Sequence, residues 1–303
     1  MRFDLLVILG PTASGKTRLG VELARRLDGE IVSADSRQLF RGMDIGSGKD
    51  LAEYGEVPYH LIDILEPGAE FNVFLFQHRF LEAFAAIRGR GRLPLLVGGT
   101  GMYLESVLKG YRLVAVPENP VLRAELAPLS VAELGERLRA VSDRLHNTTD
   151  LLLPDRIMRA IEIALYERDH APEPLPDIRP LIFGVRWERG VLRERITRRL
   201  KERLEGGLIE ELERLHAGGI PWERLEFYGL EYRFVARYLK GELNESDLFQ
   251  KLNGAIHDFA KRQDTWFRRM ERNGTAIHWL DGAGDPLAEA LAVVGEQAGN
   301  TFQ

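Results

Sequence analysis

The chain has 303 residues, room for two domains or for one large domain with an insertion. Its 45% hydrophobic and 29% charged residues form an ordinary globular mix that can bury a full core, which excludes disorder of the whole chain. A cysteine count of 0 excludes a disulfide scaffold, a cysteine zinc site and thiol catalysis, and the formal charge of −5 argues against a general nucleic-acid coat but not against a local basic patch.

No apolar run approaches the roughly 18 residues of a membrane span. The opening MRFDLLVILG places Arg2 before an apolar run, as a secretory signal would. The run stops at Gly10-Pro11 with no small-residue cleavage site, so a cytoplasmic protein is expected. Leu5 to Leu9 reads as a buried strand. From Lys16 to Leu27 the apolar residues Leu19, Leu23, Ala24 and Leu27 recur at helical spacing. Ile31-Val32 lies in a second short strand, and Tyr59 to Leu65 reads as a third. Val73 to Arg90 is a helix with Phe76, Phe80, Ala83, Phe84 and Ile87 on one face. Leu93 to Val97 is another strand, ended by Gly98-Gly99. This alternation points to a parallel sheet covered on both faces.

Pro117 to Ala171 holds helix-like segments and no convincing strand. Ser130 and Glu133 have capping-box spacing ahead of a helix beginning at Val131. Pro172, Pro174, Pro176 and Pro180 mark an extended linker before a strand at Leu181 to Val185. The expected organisation is a core domain of residues 1–114 and 178–303 with a helical insertion at 115–177. Helices follow at Val191 to Glu205, Leu208 to His216, Leu230 to Leu239 and Glu245 to Arg272. A last strand is expected at Thr275 to Leu280, and the tail Ala283 to Gln303 carries no usable signal.

Gly10-Pro11-Thr12-Ala13-Ser14-Gly15-Lys16-Thr17 fits G-x-x-x-x-G-K-[ST], between an apolar strand and an amphipathic helix. Its glycines let backbone N–H groups turn inward around a phosphate, and the helix N-terminus adds partial positive charge. Lys16 can neutralise phosphate oxygens and the Thr17 hydroxyl can ligate Mg²⁺. The motif specifies a diphosphate or triphosphate with Mg²⁺; it specifies neither ATP nor hydrolysis. Together with the alternating pattern it predicts an α/β fold: a P-loop NTPase-like parallel sheet flanked by helices, with a helical insertion domain.

Asp35 follows the second strand, at the sheet edge where parallel strands open their ligand crevice. It reads equally as a carboxylate serving metal or proton transfer and as a capping residue. Gly98-Gly99-Thr100-Gly101 reaches the same edge. Asp63 is a weak match to a Walker-B carboxylate, which disfavours an ATP-driven motor.

The ordered set GPTASGKT, SADSRQLFRGMDIGSGK, VPYHLIDILEPGAEFNV, LLVGGTGMYLESVLKG and FAKRQDTWFR resembles the tRNA dimethylallyltransferases, over most of residues 5 to 270. The chain departs from that family at Ser47-Gly48-Lys49-Asp50, at Leu153-Pro154-Asp155-Arg156 and at Gly229-Leu230-Glu231-Tyr232-Arg233. The resemblance implies that dimethylallyl diphosphate is the donor, with its diphosphate in the loop Gly10 to Thr17. It further implies that Mg²⁺ is the cofactor, with Thr17 as its ligand, and that N6 of adenosine 37 in the tRNA anticodon stem-loop is the acceptor. Asp35 then matches the base, and Thr17 and Arg195 complete the catalytic set, with Arg195 favoured as the arginine that closes on the diphosphate and Arg199 the second choice. Asp35, Ser36, Arg37, Gln38, Thr100, Arg123, Asp155, Arg156, Ile157, Met158 and Arg159 match tRNA-contacting positions of the family. A monomer with no membrane attachment is expected.

Two basic segments suit tRNA phosphates. In Arg193–Arg203 six basic residues face two acidic ones, and in Lys261–Arg272 five face two. At least one is expected along the anticodon stem-loop, with Arg268 and Arg269 as test positions. Trp266 and Phe267 are expected to pack in a core more than to stack on bases. The alternatives are a P-loop small-molecule kinase with the insertion as its lid, an adenine-nucleotide prenyltransferase, and a non-enzymatic RNA-binding module.

Overall fold

Apolar runs bounded by turn residues become strands: β1 (Leu5–Leu9), β2 (Gly29–Ala34), β3 (Tyr59–His60), β4 (Leu93–Gly98), β5 (Pro180–Arg186) and β6 (His278–Asp281). The computed structural model describes residues 2–111, 113–141, 153–170 and 175–299. Pro172 and Pro174 of the expected linker and the last residues of the tail lie outside them. The strands form one sheet in the order β3-β2-β4-β1-β5-β6, with every neighbouring pair parallel.

Residues 1–109 and 177–303 form one compact unit. It holds α1 (Lys16–Leu27), α2 (Val73–Gly89) and α3 (Gly101–Leu108), then α7 (Arg189–Glu205), α8 (Leu208–Ala217), α9 (Trp222–Phe227), α10 (Leu230–Leu239), α11 (Glu245–Arg272) and α12 (Pro286–Gly299). Side chains alternate across the sheet. Leu5, Val7 and Leu9 pack with Phe76, Phe80, Ile196, Leu252 and Phe267. Leu6 and Ile8 face Leu19, Leu23, Ala24, Ala290 and Val294. The result is a parallel sheet between two helical layers.

Register fixes the functional edge. Leu9 and Ala34 both pair with Gly98, and Leu9 also pairs with Gly184. The C-terminal ends of β2, β4, β1 and β5 are therefore level, and the residues that follow each strand emerge side by side.

The helices α3 and α9 are not among those expected, and the third strand, the last strand and the tail also differ from expectation. The third strand has only two residues, because Leu61 (φ 61°) and Asp63 (φ 54°) turn the chain; Leu65 returns for a single parallel bridge with Phe40. The last strand starts at His278 rather than Thr275. The tail carries α12, where Asp285 Oδ1 accepts from Ala288 N at 3.0 Å and Pro286 opens the helix.

Residues 110–176 form a second compact unit. It contains α4 (Pro120–Leu126), α5 (Val131–Val141) and α6 (Pro154–Asp169) around Leu126, Leu134, Leu138, Ile157 and Ile161. The Ser130 capping box is made: Glu133 Oε2 accepts from Ser130 N at 2.8 Å, and Ser130 Oγ accepts from Glu133 N at 3.4 Å.

Glu162 lies in this unit with its side chain 1% exposed. It accepts from Arg123 at 2.8 and 3.0 Å, from Arg159 at 2.9 Å and from Asn119 N at 2.9 Å. Burial alone would raise its carboxyl pKa, but these donors outweigh burial and hold it at about 2. Glu162→Gln should destabilise this unit by about 1–3 kcal/mol, the lower end being favoured because both arginines are partly solvated. The folded value lies below the ordinary 4.5. The stabilisation is therefore complete above 4.5 and is lost as pH falls from there through about 2. Hydrogen exchange of α4 to α6 reads both effects; unchanged protection in Glu162→Gln would refute them.

Candidate active site

The loop Gly10 to Thr17 leaves β1 and enters α1, with Gly15 at the helix N-cap. Ala13 takes a left-handed conformation (φ 61°), strained for a residue with a Cβ. The surroundings hold it there. Arg195 Nε donates to the Ala13 carbonyl at 2.9 Å, and Trp187 Nε1 donates to the Ser14 carbonyl at 2.8 Å. The Arg195 guanidinium itself lies 4.0 Å over the Trp187 ring. Arg195 thus braces the phosphate loop through its backbone.

Gln263 braces the loop from α11. It is buried, its Oε1 accepts from Thr12 N at 2.8 Å, and its Nε2 donates to the Gly99 carbonyl at 3.0 Å. One side chain thereby ties the phosphate loop to the turn after β4.

A cavity of about 500 Å³ opens at this edge. Thr12, Lys16 and Thr17 line it together with Asp35, Ser36, Arg37, Gln38 and Thr100. Arg199 and Arg203 enter from α7, Tyr228 to Glu231 from the α9–α10 turn, and Ile256, Phe259, Arg262 and Trp266 from α11. A Cβ on Gly101 would stand 2.4 Å from the Trp266 ring, so only glycine lets that indole reach the turn.

Asp35 Oδ1 accepts from Arg37 N at 2.9 Å, so one of its oxygens closes a turn. Ser36 N donates to Thr100 Oγ1 at 3.1 Å, joining the ends of β2 and β4. Gln38 is engaged at both ends: Ser33 Oγ donates to its Oε1 at 2.8 Å, and its Nε2 donates to the Gly48 carbonyl at 3.0 Å. Arg37 donates to the Phe227 carbonyl at 3.2 Å, and burial lowers its pKa.

Lys16 is half-buried and donates to the Pro11 carbonyl at 3.3 Å. Burial pushes its ammonium down to about 8. Asp35 opposes that shift, while Arg199 and Arg203 add to it. Arg199 pairs with Asp50, and Arg203 is bridged to Glu231 at 3.0 Å. Burial, then Arg199, lowers the Arg203 pKa; a guanidinium stays charged regardless.

The remaining expected residues have other surroundings. Arg123 and Arg159 are bound to Glu162, Ile157 is fully buried, Met158 packs against that core, and Asp155 and Arg156 are exposed in the first turn of α6. Asp63 is paired with the buried Lys49. Phe267 packs in the core as expected; Trp266 packs against the same core and also lines the cavity. Arg269 is a poor test of tRNA phosphates: it donates to the buried Glu105 at 2.8 Å and lies 3.9 Å over Trp266. Reversing its charge would set two carboxylates against each other. Sequence reasoning missed Arg203 and Gln263. The spacing of Arg195, Arg199 and Arg203 by four marked one helical face, and a glutamine within the apolar stripe Ile256, Ala260, Phe267 marked the clamp.

Sheet order, loop and cavity define the class: a P-loop α/β protein with a cavity at the C-terminal strand edge. Comparison with known proteins narrows this. Residues 38–270 match the IPP transferase family, and residues 3–56 match isopentenyl transferase. The tRNA dimethylallyltransferase 1 of Geotalea uraniireducens is 70% identical, over 97% of this chain and 98% of that one. The tRNA dimethylallyltransferase 2 of Syntrophotalea carbinolica is 68% identical, over 97% and 99%. The tRNA isopentenylpyrophosphate transferase structure from Bacillus halodurans is 32% identical, covers 98% of both chains and superposes with a TM-score of 0.71. A eukaryotic dimethylallyltransferase acting on tRNA, 21% identical over 92% of this chain and 73% of its own, shares the fold with a TM-score of 0.76. The chain belongs to the IPP transferase family.

Proposed function

We propose that this chain transfers the dimethylallyl group of dimethylallyl diphosphate to N6 of adenosine 37 in the tRNA anticodon loop, as a cytoplasmic monomer. The observation that carries the reading is the meeting of Lys16 and Asp35 in one cavity, in a chain of this family. Diphosphate binds amides of the loop between Ala13 and Thr17, with Lys16, Arg199 and Arg203 around it. As the bond from the prenyl carbon to the diphosphate oxygen breaks, its electron pair leaves with diphosphate, and these cations stabilise the growing charge. N6 bonds to the same carbon, and its proton passes to the Asp35 carboxylate. The loop that carries the adenosine is expected to extrude it into the cavity, which keeps water from the reacting prenyl carbon.

The donor set suits Mg²⁺. Thr17 offers a hydroxyl beside the loop, and no group of three acidic or histidine side chains able to hold a metal occurs among the described residues. Such a sparse oxygen set fits a cation that keeps several waters and leans on its substrate's phosphates. Thr17 Oγ1 and the donor's own oxygens would hold the ion, which supplies further charge neutralisation.

The kinase alternative is not favoured beside relatives 70% identical over nearly the whole chain. Purified protein, Mg²⁺, labelled dimethylallyl diphosphate and unmodified tRNA should give label at one adenosine. Labelling of free adenine nucleotides with tRNA left unlabelled would overturn the reading. No helix among the described residues is long and apolar enough to cross a membrane.

Lys261 and Arg268 lie seven residues apart on α11 and are both exposed. We expect Lys261→Glu with Arg268→Glu to weaken tRNA binding uniformly across sequences and to reduce the salt slope by about 2. Donor affinity should not change. Equal tRNA affinity at low salt in the folded double variant would remove this helix face from the tRNA surface.

A further inference from the structure

Glu211 on α8 is 1% exposed, and no step of the transfer uses it. Its carboxylate accepts from three consecutive backbone amides: Oε2 from Asp44 N at 2.9 Å and Ile45 N at 2.7 Å, and Oε1 from Gly46 N at 3.0 Å. Tyr232 OH of α10 donates a fourth bond, to Oε1 at 2.8 Å. Successive amides turned toward one anion form a nest, and here the anion is a side chain of the protein itself. Charge-assisted bonds of this kind are the strong ones, and an apolar residue at this position would take the acceptor away from all three amides, that of the buried Gly46 among them.

The loop so held borders the donor site. Gly46 and Gly48 line the cavity described above, while Asp44 and Asp50 line a second cavity of about 620 Å³; Lys16, Thr17, Arg199 and Arg203 border both. The far end of the loop is the partner of the arginine pair. Asp50 binds Arg199, and a Cβ on Gly48 would stand 1.7 Å from Arg203 Nη2 and 2.9 Å from Arg199 Nη2. Loop backbone therefore packs directly on both guanidinium groups. Lys49 pins the same loop from within, donating to Asp44 Oδ1 at 2.6 Å and to the Phe40 carbonyl at 2.7 Å. Nothing in this segment can shift without moving what Arg199 and Arg203 rest on.

We propose that Glu211 is a positioning residue for the donor's diphosphate: by fixing residues 44–50 it sets where Asp50 and Gly48 hold Arg199 and Arg203. The proposal rests on the reading that those arginines face the diphosphate. The route is Glu211 to loop, loop to arginines, arginines to ligand. Glutamine at this position keeps the volume but turns an NH₂ toward amides that need an acceptor, so the loop should loosen while the core around it stays packed.

The test is a double-mutant cycle on the full chain, read as binding of inorganic diphosphate with Mg²⁺ by calorimetry, without tRNA. Glu211→Gln and Arg199→Ala should each weaken binding by about tenfold, the scale of one or two lost charge-assisted bonds. The double variant should lose less than the product of the two single effects, because part of the loop's action passes through Arg199 and the rest through Arg203. In turnover, Glu211→Gln should raise KM for the donor and leave tRNA affinity unchanged, a split that general loss of folded protein would not produce. Wild-type diphosphate binding in Arg199→Ala would overturn the donor-site reading and the proposal with it. A normal response to Arg199→Ala, with wild-type binding in folded Glu211→Gln or with fully multiplicative effects, would overturn the proposal alone. If Glu211→Gln fails to fold, Tyr232→Phe removes one of the four donors and enters the same cycle. A smaller loss that does not multiply with Arg199→Ala supports the proposal, and no loss or a multiplicative one overturns it.

Discussion

Asp35→Asn should lower turnover by about 10²–10⁴-fold, the range supplied by a positioned general base. Donor affinity should change far less than turnover, because Asp35 stands beside the phosphate loop and reaches the diphosphate only through its charge on Lys16. Asparagine is the informative substitution. Asp35 Oδ1 closes a turn on Arg37 N at 2.9 Å, and an asparagine oxygen can accept the same bond. Alanine removes both the turn and the base. If the carboxylate takes the proton from N6, Asn and Ala are nearly equally slow in single-turnover transfer. If Asp35 matters only for the turn, Asn retains the rate and Ala loses it. The carboxylate is well placed for the first outcome, lining one cavity with Lys16 and Thr17. N6 of adenine is a weak nucleophile whose lone pair is delocalised into the ring. It becomes acidic only as the new bond forms, so the base acts on the transition state and shows in kcat rather than in KM.

The parts of this site carried by contiguous segments were legible in the sequence. The loop Gly10 to Thr17 and Asp35 follow short apolar strands, and parallel strands present their ends at one edge. The α10 and α11 boundaries matched because apolar spacing runs unbroken through Leu230 to Leu239 and through Glu245 to Arg272. The helix α12 was missed although Asp285-Pro286 is a start signal and Leu287, Ala290, Leu291 and Val294, which pack on the core, recur at helical spacing. The expected third strand failed on backbone geometry: Leu61 and Asp63 look like any apolar-polar alternation until their positive φ values are known. Pairings distant in sequence were beyond reach. Gln263 meets Thr12 across 251 positions, Arg269 meets Glu105 across 164, and Glu211 meets Asp44 across 167. Each partner alone reads as an ordinary polar residue of a helix or loop. Only the packing of α8 and α11 on the sheet domain turns them into clamps.

Lys16→Met should weaken donor binding by about 10²–10³-fold, the cost of deleting one partner of a desolvated charge pair. It should also abolish a pH dependence that the native chain shows. Burial places the Lys16 ammonium at about 8 before the donor arrives. A bound diphosphate brings negative charge against it and raises that value, so the ligand prefers the protonated form. The sign follows from linkage. Below about 8 the ammonium is already charged and donor affinity is level with pH. Above about 8 binding must take up a proton, and affinity falls as pH rises, by up to about tenfold per unit, until the raised value in the complex is passed. Dimethylallyl diphosphate is fully ionised across this range, so the step belongs to the protein. Calorimetry in two buffers of different ionisation enthalpy reads the proton directly: close to none taken up at pH 7, a growing fraction of one above 8. Methionine matches the length of the lysine stem but cannot titrate, so its variant should bind weakly with a flat profile. A native chain whose donor affinity stays constant from pH 7 to 10, with no proton uptake, would place the ammonium away from the diphosphate and return Lys16 to its contact with the Pro11 carbonyl as a purely structural residue.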